Sequence, residues 1–201
     1  MAGSPQGETG TIPPSPPDQN VPARLPVLYA SLIMGPTQPI RRPSQAMEFS
    51  IVPDFEAPAT GGKTFKLSEH RGRPLVLYFY PKDNTPGCTT EGQDFRDLYP
   101  LFQALGCDVY GISRDSIKSH EHFKAKLNLP FDLLSDGEEK VCEQFGVMKM
   151  KNLYGKQVRG VERSTFVIDA QGRLARAWRG VKVPEHAQQV LEFVRTLSAA
   201  R

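Results

Sequence analysis

The run "PLVLYFYPKDNTPGCTTE", from Pro74 to Glu91, decides how this chain is read. Its first seven residues, Pro74–Tyr80, form a continuous apolar run of strand length, as expected of a strand covered on both faces. Pro81, Pro86 and Gly87 then make a turn, and the first cysteine of the chain, Cys88, falls where a helix should begin. From Cys88 onward Phe95, Leu98, Tyr99, Phe102 and Leu105 recur at helical spacing, and Gly106 closes the pattern. Pro100, inside that helix, predicts a kink.

Working outward, "FEAPATGGKTFKL" reads as a hairpin around Gly61 and Gly62. Downstream, "CDVYGIS" is a strand starting at Cys107, and Ser116 is placed to cap a helix over "IKSHEHFKAKLN". "FDLLSD" reads as another strand, "GEEKVCEQFG" as a short helix ending at Gly146, and "MKMKNLYGKQVRG" as a polar loop. "RSTFVID" and "RLARAWRG", joined by Ala170, Gln171 and Gly172, form a second hairpin, and Pro184 is expected in the first turn of a last helix. A βαβαβ core followed by ββα predicts an α/β sandwich with a mixed central sheet flanked by helices. That is the order of a thioredoxin-like fold carrying an extra N-terminal β-hairpin.

Composition divides the chain. Residues 1–46 hold ten of the eighteen prolines and one aromatic, Tyr29, and are expected to be a disordered leader. The apolar piece "LPVLYASLIMG" within it resembles a signal core but lacks a basic flank and is bracketed by Pro26 and Pro36. Met47 is an alternative start, and residues 47–201 make one domain of ordinary size. A net charge of +3, scattered along 201 residues, does not point to nucleic acid, and no apolar run reaches the length that spans a bilayer. Three cysteines, an odd number, do not read as a secreted disulfide framework, so a reducing compartment, the cytoplasm, is expected.

The placing of Cys88 carries the chemistry. Sites in open α/β sheets lie beyond the carboxyl ends of the strands, where helices begin. There the free N–H groups and positive end of a helix dipole stabilise a thiolate, which is the nucleophilic form of cysteine. Gly87 allows close approach of the chain, and Thr85, three residues before the cysteine, can aim a hydroxyl at whatever the thiolate attacks.

The spacing Pro81, Thr85, Cys88 is similar to the Pro-x-x-x-Thr-x-x-Cys pattern of peroxiredoxins, and "YFYPKDNTPGCTTE" resembles their bacterioferritin-comigratory, or peroxiredoxin Q, subfamily. The resemblance continues through "FRDLY", "VYGIS", "LLSD", "VCEQFGV" and "ERSTFVID", covering nearly all of residues 48–197. It implies a thiol-dependent peroxidase in which Cys88 attacks a peroxide oxygen and becomes a sulfenic acid. The family's active-site arginine maps onto Arg163, and Glu91 onto the acidic position that holds that arginine in place. Pro81 would wall the site. No cofactor and no metal are implied, and the subfamily's tendency is monomeric.

In one respect the pattern departs. Many subfamily members carry a resolving cysteine five residues after the reactive one, and here that residue is Gln93. Cys107 should lie at the opposite sheet edge, roughly 25 Å away along the intervening helix, whereas a disulfide needs Cα atoms within about 7 Å. Cys142 starts a helix at the same edge as Cys88 and is the alternative resolver, although Val141 and Phe145 suggest that its face is packed. The expectation is one-cysteine chemistry, with Cys88 recycled by thioredoxin, glutaredoxin or a small thiol.

Two rival functions have a weaker footing. A thiol–disulfide oxidoreductase would need the second cysteine that "CTTE" lacks. A peroxide sensor or holdase would use Cys88 oxidation as a signal, without turnover. Among other candidates, His120 and His122 point in different directions on their helix and do not suggest a metal site. His70 and His186 are read as surface residues, and Trp178 as a packing residue.

Overall fold

In the computed structural model, which describes residues 50–153 and 155–199, the chain opens with a hairpin of β1 (Glu56–Ala59) and β2 (Lys63–Lys66). It continues through β3 (Leu75–Phe79), α1 (Pro86–Ala104), β4 (Asp108–Ser113), α2 (Ile117–Leu127), β5 (Leu133–Ser135) and the short α3 (Lys140–Gln144). Then follow β6 (Met148–Leu153), β7 (Lys156–Val161), β8 (Ser164–Ile168), β9 (Leu174–Arg179) and α4 (His186–Ala199). The expected leader, residues 1–46, and the alternative start at Met47 lie outside the described residues.

Seven strands form one sheet in the order β2-β1-β5-β4-β3-β8-β9. β3, β4 and β5 are parallel, while β8 and β9 run antiparallel on one side and the β1–β2 hairpin on the other. This is the mixed sheet of the thioredoxin-like arrangement. Every residue of β3 is buried, because the strand is covered on both faces. Leu75, Leu77 and Phe79 face a cluster with Phe145, Val147 and Phe166. Val76 and Tyr78, with Tyr80 beyond the strand end, face Phe95 and Phe102 of α1, Phe123 of α2, and Val190 and Val194 of α4. Burying each such aromatic side chain contributes about 2 to 3 kcal/mol.

Tyr78 ties the sheet to α1. Its ring stacks on Phe95 with centroids 4.6 Å apart, and its hydroxyl end lies against Gly111 of β4. A Cβ at Gly111 would sit 2.6 Å from that ring and 2.8 Å from Leu133. The close approach of strand and ring requires glycine there.

The helix ends follow their sequence signals. α1 has Thr85 at its N-cap and Pro86 in its first turn. It ends with the N–H groups of Gly106 and Cys107 donating to the carbonyls of Gln103 and Phe102, with Gly106 at φ 65°. Ser116 caps α2 by accepting from the Ser119 N–H at 3.3 Å.

Pro100 lies inside α1, which is continuous from Pro86 to Ala104. Several expectations need correction. The last helix begins at His186, not in the turn holding Pro184, because Glu185 adopts a left-handed φ of 62° that interrupts helical geometry. Residues 148–161 are not a polar loop: β6 and β7 pair antiparallel as a two-stranded ribbon, from Met148 opposite Val161 to Leu153 opposite Lys156. Arg159 of this ribbon forms ion pairs with Glu139 and Glu143 flanking and within α3, and Lys151 donates to the Val161 carbonyl. Among the described residues no helix is long and apolar enough to cross a membrane.

Candidate active site

β3 ends in the middle of the sheet, and the segment Pro81–Thr85 carries the chain from there into α1. Thr85 has extended backbone geometry, φ −85° and ψ 149°, and its side chain makes no capping hydrogen bond. Its hydroxyl donates to the Lys82 carbonyl at 3.0 Å instead, which closes the turn. The N–H groups of the first helical turn are therefore left facing outward from the helix end, where they can bind an anion. Thr85 Oγ1 keeps its lone pairs, so it can accept a hydrogen bond from a peroxide O–H.

Cys88 is the third residue of α1 and only 2% exposed. Arg163, which follows β7 and precedes β8, reaches it: Nη2 lies 3.2 Å from Cys88 Sγ. The other terminal nitrogen, Nη1, forms an ion pair with Glu91, one turn along the helix from Cys88. One guanidinium thus bridges the sulfur and the carboxylate, a two-pronged fit that its planar fork provides and a lysine cannot. Burial works against the charge on Arg163, but Glu91 and Cys88 outweigh it and hold its pKa above the usual value. Gly87 makes room for this approach, since a Cβ there would lie 3.3 Å from Nη2.

Glu91 is 1% exposed, and burial pushes its carboxyl up to about 7, with Arg163 pulling in the other direction. Its second oxygen, Oε1, has no hydrogen-bond partner among the described residues, and neither has the buried Tyr78 hydroxyl. Pro81 is half-buried beside this turn, next to a cleft of about 320 Å³ that it lines with Lys82, Arg114, Asp115 and Gly137.

The structure brings Cys88, Arg163 and Glu91 together and places Thr85 and Pro81 on the same turn. The other two cysteines are elsewhere, and none of the three is in a disulfide. Cys107 directly precedes Asp108, which pairs with Leu75 at the start of β3, so it lies at the edge of the parallel strands opposite to Cys88. Burial and Asp108 push its thiol well up. Cys142 is buried in α3, and burial with Asp136 raises its thiol likewise. Gln93 is half-buried on α1.

The histidines differ from their sequence reading. His186 is 3% exposed, its Nε2 lies 2.7 Å from Thr165 Oγ1, and burial and Arg163 depress its pKa to about 4. His70 is half-buried, paired with Asp108 at 3.0 Å and stacked on Phe65. His120 is fully buried and His122 exposed, so the two diverge as their spacing predicts. Sequence reasoning overlooked the burial of His120, although its spacing to Phe123 and Leu127 put it on the apolar face of α2. Trp178 packs edge-on against His186 and Phe193.

The AhpC/TSA family profile matches residues 50–177. Peroxiredoxin Bcp of Xanthomonas campestris is 53% identical over 138 residues, which span 69% of this chain and 86% of that protein. Peroxiredoxin Bcp of Bacillus subtilis is 50% identical over 146 residues, spanning 73% and 93%. Among solved structures, the bacterioferritin comigratory protein of X. campestris, described for its alkyl peroxide reduction activity, superposes with a TM-score of 0.69 at 49% identity, covering 72% of this chain and 92% of that one. A buried cysteine at a helix start, bridged by an arginine to a buried glutamate, therefore sits in a chain that belongs to the AhpC/TSA family, among its peroxiredoxins of the bacterioferritin-comigratory, or Q, kind.

Proposed function

We propose that this thiol-dependent peroxidase works through Cys88 as a one-cysteine enzyme. The observation that carries the reading is the 3.2 Å contact of Arg163 Nη2 with Cys88 Sγ at an uncapped helix N-terminus. A cation and a helix dipole act there together on one buried sulfur. The thiolate donates an electron pair to the outer oxygen of a hydroperoxide. The S–O bond forms as the O–O bond breaks, and the second oxygen departs as an alkoxide or hydroxide that takes up a proton. Sulfur is oxidised to sulfenic acid and the peroxide is reduced to alcohol or water. Charge developing on the departing oxygen is met by Arg163 and the first-turn N–H groups, while Thr85 orients the peroxide and Pro81 walls the site.

Return to the thiol takes two equivalents of reductant. A first thiol condenses with the sulfenic acid and releases water, leaving a mixed disulfide; a second thiol displaces Cys88 from it. Gln93 in place of a neighbouring cysteine, and the raised thiols of Cys107 and Cys142, support an external reductant such as thioredoxin, glutaredoxin or a small thiol. The protein acts as a monomer in the cytoplasm in this reading.

Mass spectrometry after one equivalent of hydrogen peroxide tests it. Oxygen is expected on Cys88 alone, and an intramolecular disulfide between Cys88 and Cys142 would sink the one-cysteine scheme. Sustained peroxide consumption with a thioredoxin system separates turnover from a single stoichiometric oxidation, which would indicate a sensor.

A further inference from the structure

The segment that presents Cys88 has one side chain turned inward. Asp83 is 5% exposed, and its carboxylate accepts from the Tyr80 hydroxyl at 2.8 Å and from the Ser119 hydroxyl at 2.6 Å. His120 Nδ1 lies 2.9 Å from the same carboxylate. The Asp83 N–H donates to Asp115 Oδ2 at 2.9 Å, an oxygen that also accepts from Ser113 Oγ at 2.8 Å. Across the ring, His120 Nε2 is 3.2 Å from the Leu134 carbonyl. A carboxylate and a carbonyl can only accept, so each ring nitrogen faces an acceptor, with the Tyr80 hydroxyl also 3.3 Å from Nδ1. A carboxylate–histidine pair with side-chain exposures of 0% and 2% is thus built into the interior beneath the active-site turn.

Such a pair is a poor source of stability. Taking buried polar groups out of water offsets most of their mutual attraction, and well-packed apolar residues of the same volume often do as well. What the pair supplies is a fixed geometry. Asp83 is held by hydrogen bonds from the end of β3, the β4–α2 connection and α2, so its place is set relative to both sheet and helix. Its neighbours on the segment are held as well. Asn84 adopts a left-handed φ of 58° and accepts from Lys126 of α2 at 3.0 Å, and Thr85 is turned back onto Lys82. Asp83 lies two positions before the N-cap and five before Cys88, a stretch too short to absorb a displacement.

We propose that Asp83 and His120 form a positioning pair for peroxide reduction, holding Pro81–Thr85 so that Thr85 and the first-turn N–H groups meet the peroxide in register. The proposal rests on the peroxidase reading above for its chemistry, and on the hydrogen-bond geometry for the hold itself. Neither residue touches the reacting atoms. Their effect passes through the backbone of the segment.

The test uses Asp83→Asn and His120→Gln in the full chain, with three readouts. Hydrogen–deuterium exchange should show amides of residues 82–88 exchanging faster in either variant while the sheet stays protected. Stopped-flow kinetics should show the second-order rate constant of Cys88 with hydrogen peroxide falling about 100-fold, the scale of an ångström of misplacement. Alkylation of Cys88 by iodoacetamide, which needs the thiolate but not the peroxide-orienting groups, should stay within about threefold of wild type. The double variant should fall no further than the worse single one, as expected for two members of one device. Unchanged exchange over 82–88 overturns the proposal, as does an equal fall in peroxide and alkylation rates. A wild-type protein inert to peroxide, with the segment nonetheless loosened in the variants, would strike at the peroxidase reading while leaving the hold of the pair on the segment demonstrated.

Discussion

Cys88 and Cys142 occupy matching places in the fold. Each is the third residue of a helix that begins at the same edge of the sheet, and each is buried, at 2% and 0% exposure. Burial and helix position therefore do not separate them. What differs is the sign of the nearest charge and the length of the helix. Cys88 meets the Arg163 guanidinium and stands at the head of a helix of 19 residues. Cys142 sits in a helix of 5 residues, and its N–H donates to Asp136 Oδ2 at 2.6 Å, so a carboxylate faces the place where a thiolate would form. A helix start favours an anion weakly, typically by 0.3 to about 1 kcal/mol. A fixed side-chain charge in a site shielded from water weighs more, and here it points in opposite directions at the two sulfurs.

The largest test of that contrast removes each sulfur. Cys88→Ser should reduce thiol-dependent peroxide consumption to the uncatalysed background, whereas Cys142→Ser should keep kcat/KM for peroxide within about twofold, as for a substitution outside the reacting atoms. Comparable losses in both variants would erase the distinction. Next in size, Arg163→Ala should lower the rate of Cys88 oxidation by about 100- to 1000-fold, the usual loss when a fixed stabilising donor is removed. Arg163→Lys should recover only part of it, since an ammonium lacks the planar fork whose two nitrogens meet sulfur and carboxylate separately. Rapid-mixing kinetics on the free thiol measures both.

A smaller effect concerns pH. Glu91 titrates at about 7, so above that pH it is anionic and holds Arg163 in place, and below it the carboxyl is neutral and the hold weakens. The peroxide rate should therefore carry an inflection near 7, falling toward acid, and Glu91→Gln should abolish that inflection. A variant whose pH profile keeps it would assign the inflection to another group. The smallest expected change makes Cys142 more like Cys88. In a chain lacking the other two cysteines, Asp136→Asn should lower the pH at which the Cys142 thiolate absorbs at 240 nm. The same substitution weakens the charged acceptor of the Cys142 N–H, a loss of about 1 to 3 kcal/mol in a urea melt.

Much of this was legible in the sequence, for identifiable reasons. Continuous apolar residues marked β3, turn residues marked its exit, and helical spacing from Phe95 to Leu105 marked α1, because these signals are local. Arg163 was legible only through family resemblance, since nothing near it in the chain shows that it reaches a sulfur 75 residues away. The β6–β7 ribbon was read as a loop because most of its side chains are exposed, so burial imposes no pattern on them. Its hold comes from cross-strand pairing and from Arg159 reaching the carboxylates of Glu139 and Glu143. His120 stood on an apolar stripe, yet its partner Asp83 lies 37 residues away, and His186 met Thr165 across 21. A buried ionisable residue is legible once its partner is known, and the partner is a matter of tertiary structure.

Gly111 sets a limit on which substitutions this protein can inherit. It lies on the strand beside β3, paired with Tyr78, and has no side chain to offer the chemistry. Even so, the smallest possible addition there drives into the ring of Tyr78, which cannot retreat because Phe95 is stacked behind it, two turns along the helix from Cys88. The displacement is handed on to the helix that carries the nucleophile. A survey of natural or random variants scored by peroxide resistance would rank this silent position beside the reactive cysteine, and only a melting curve would tell the two kinds of necessity apart.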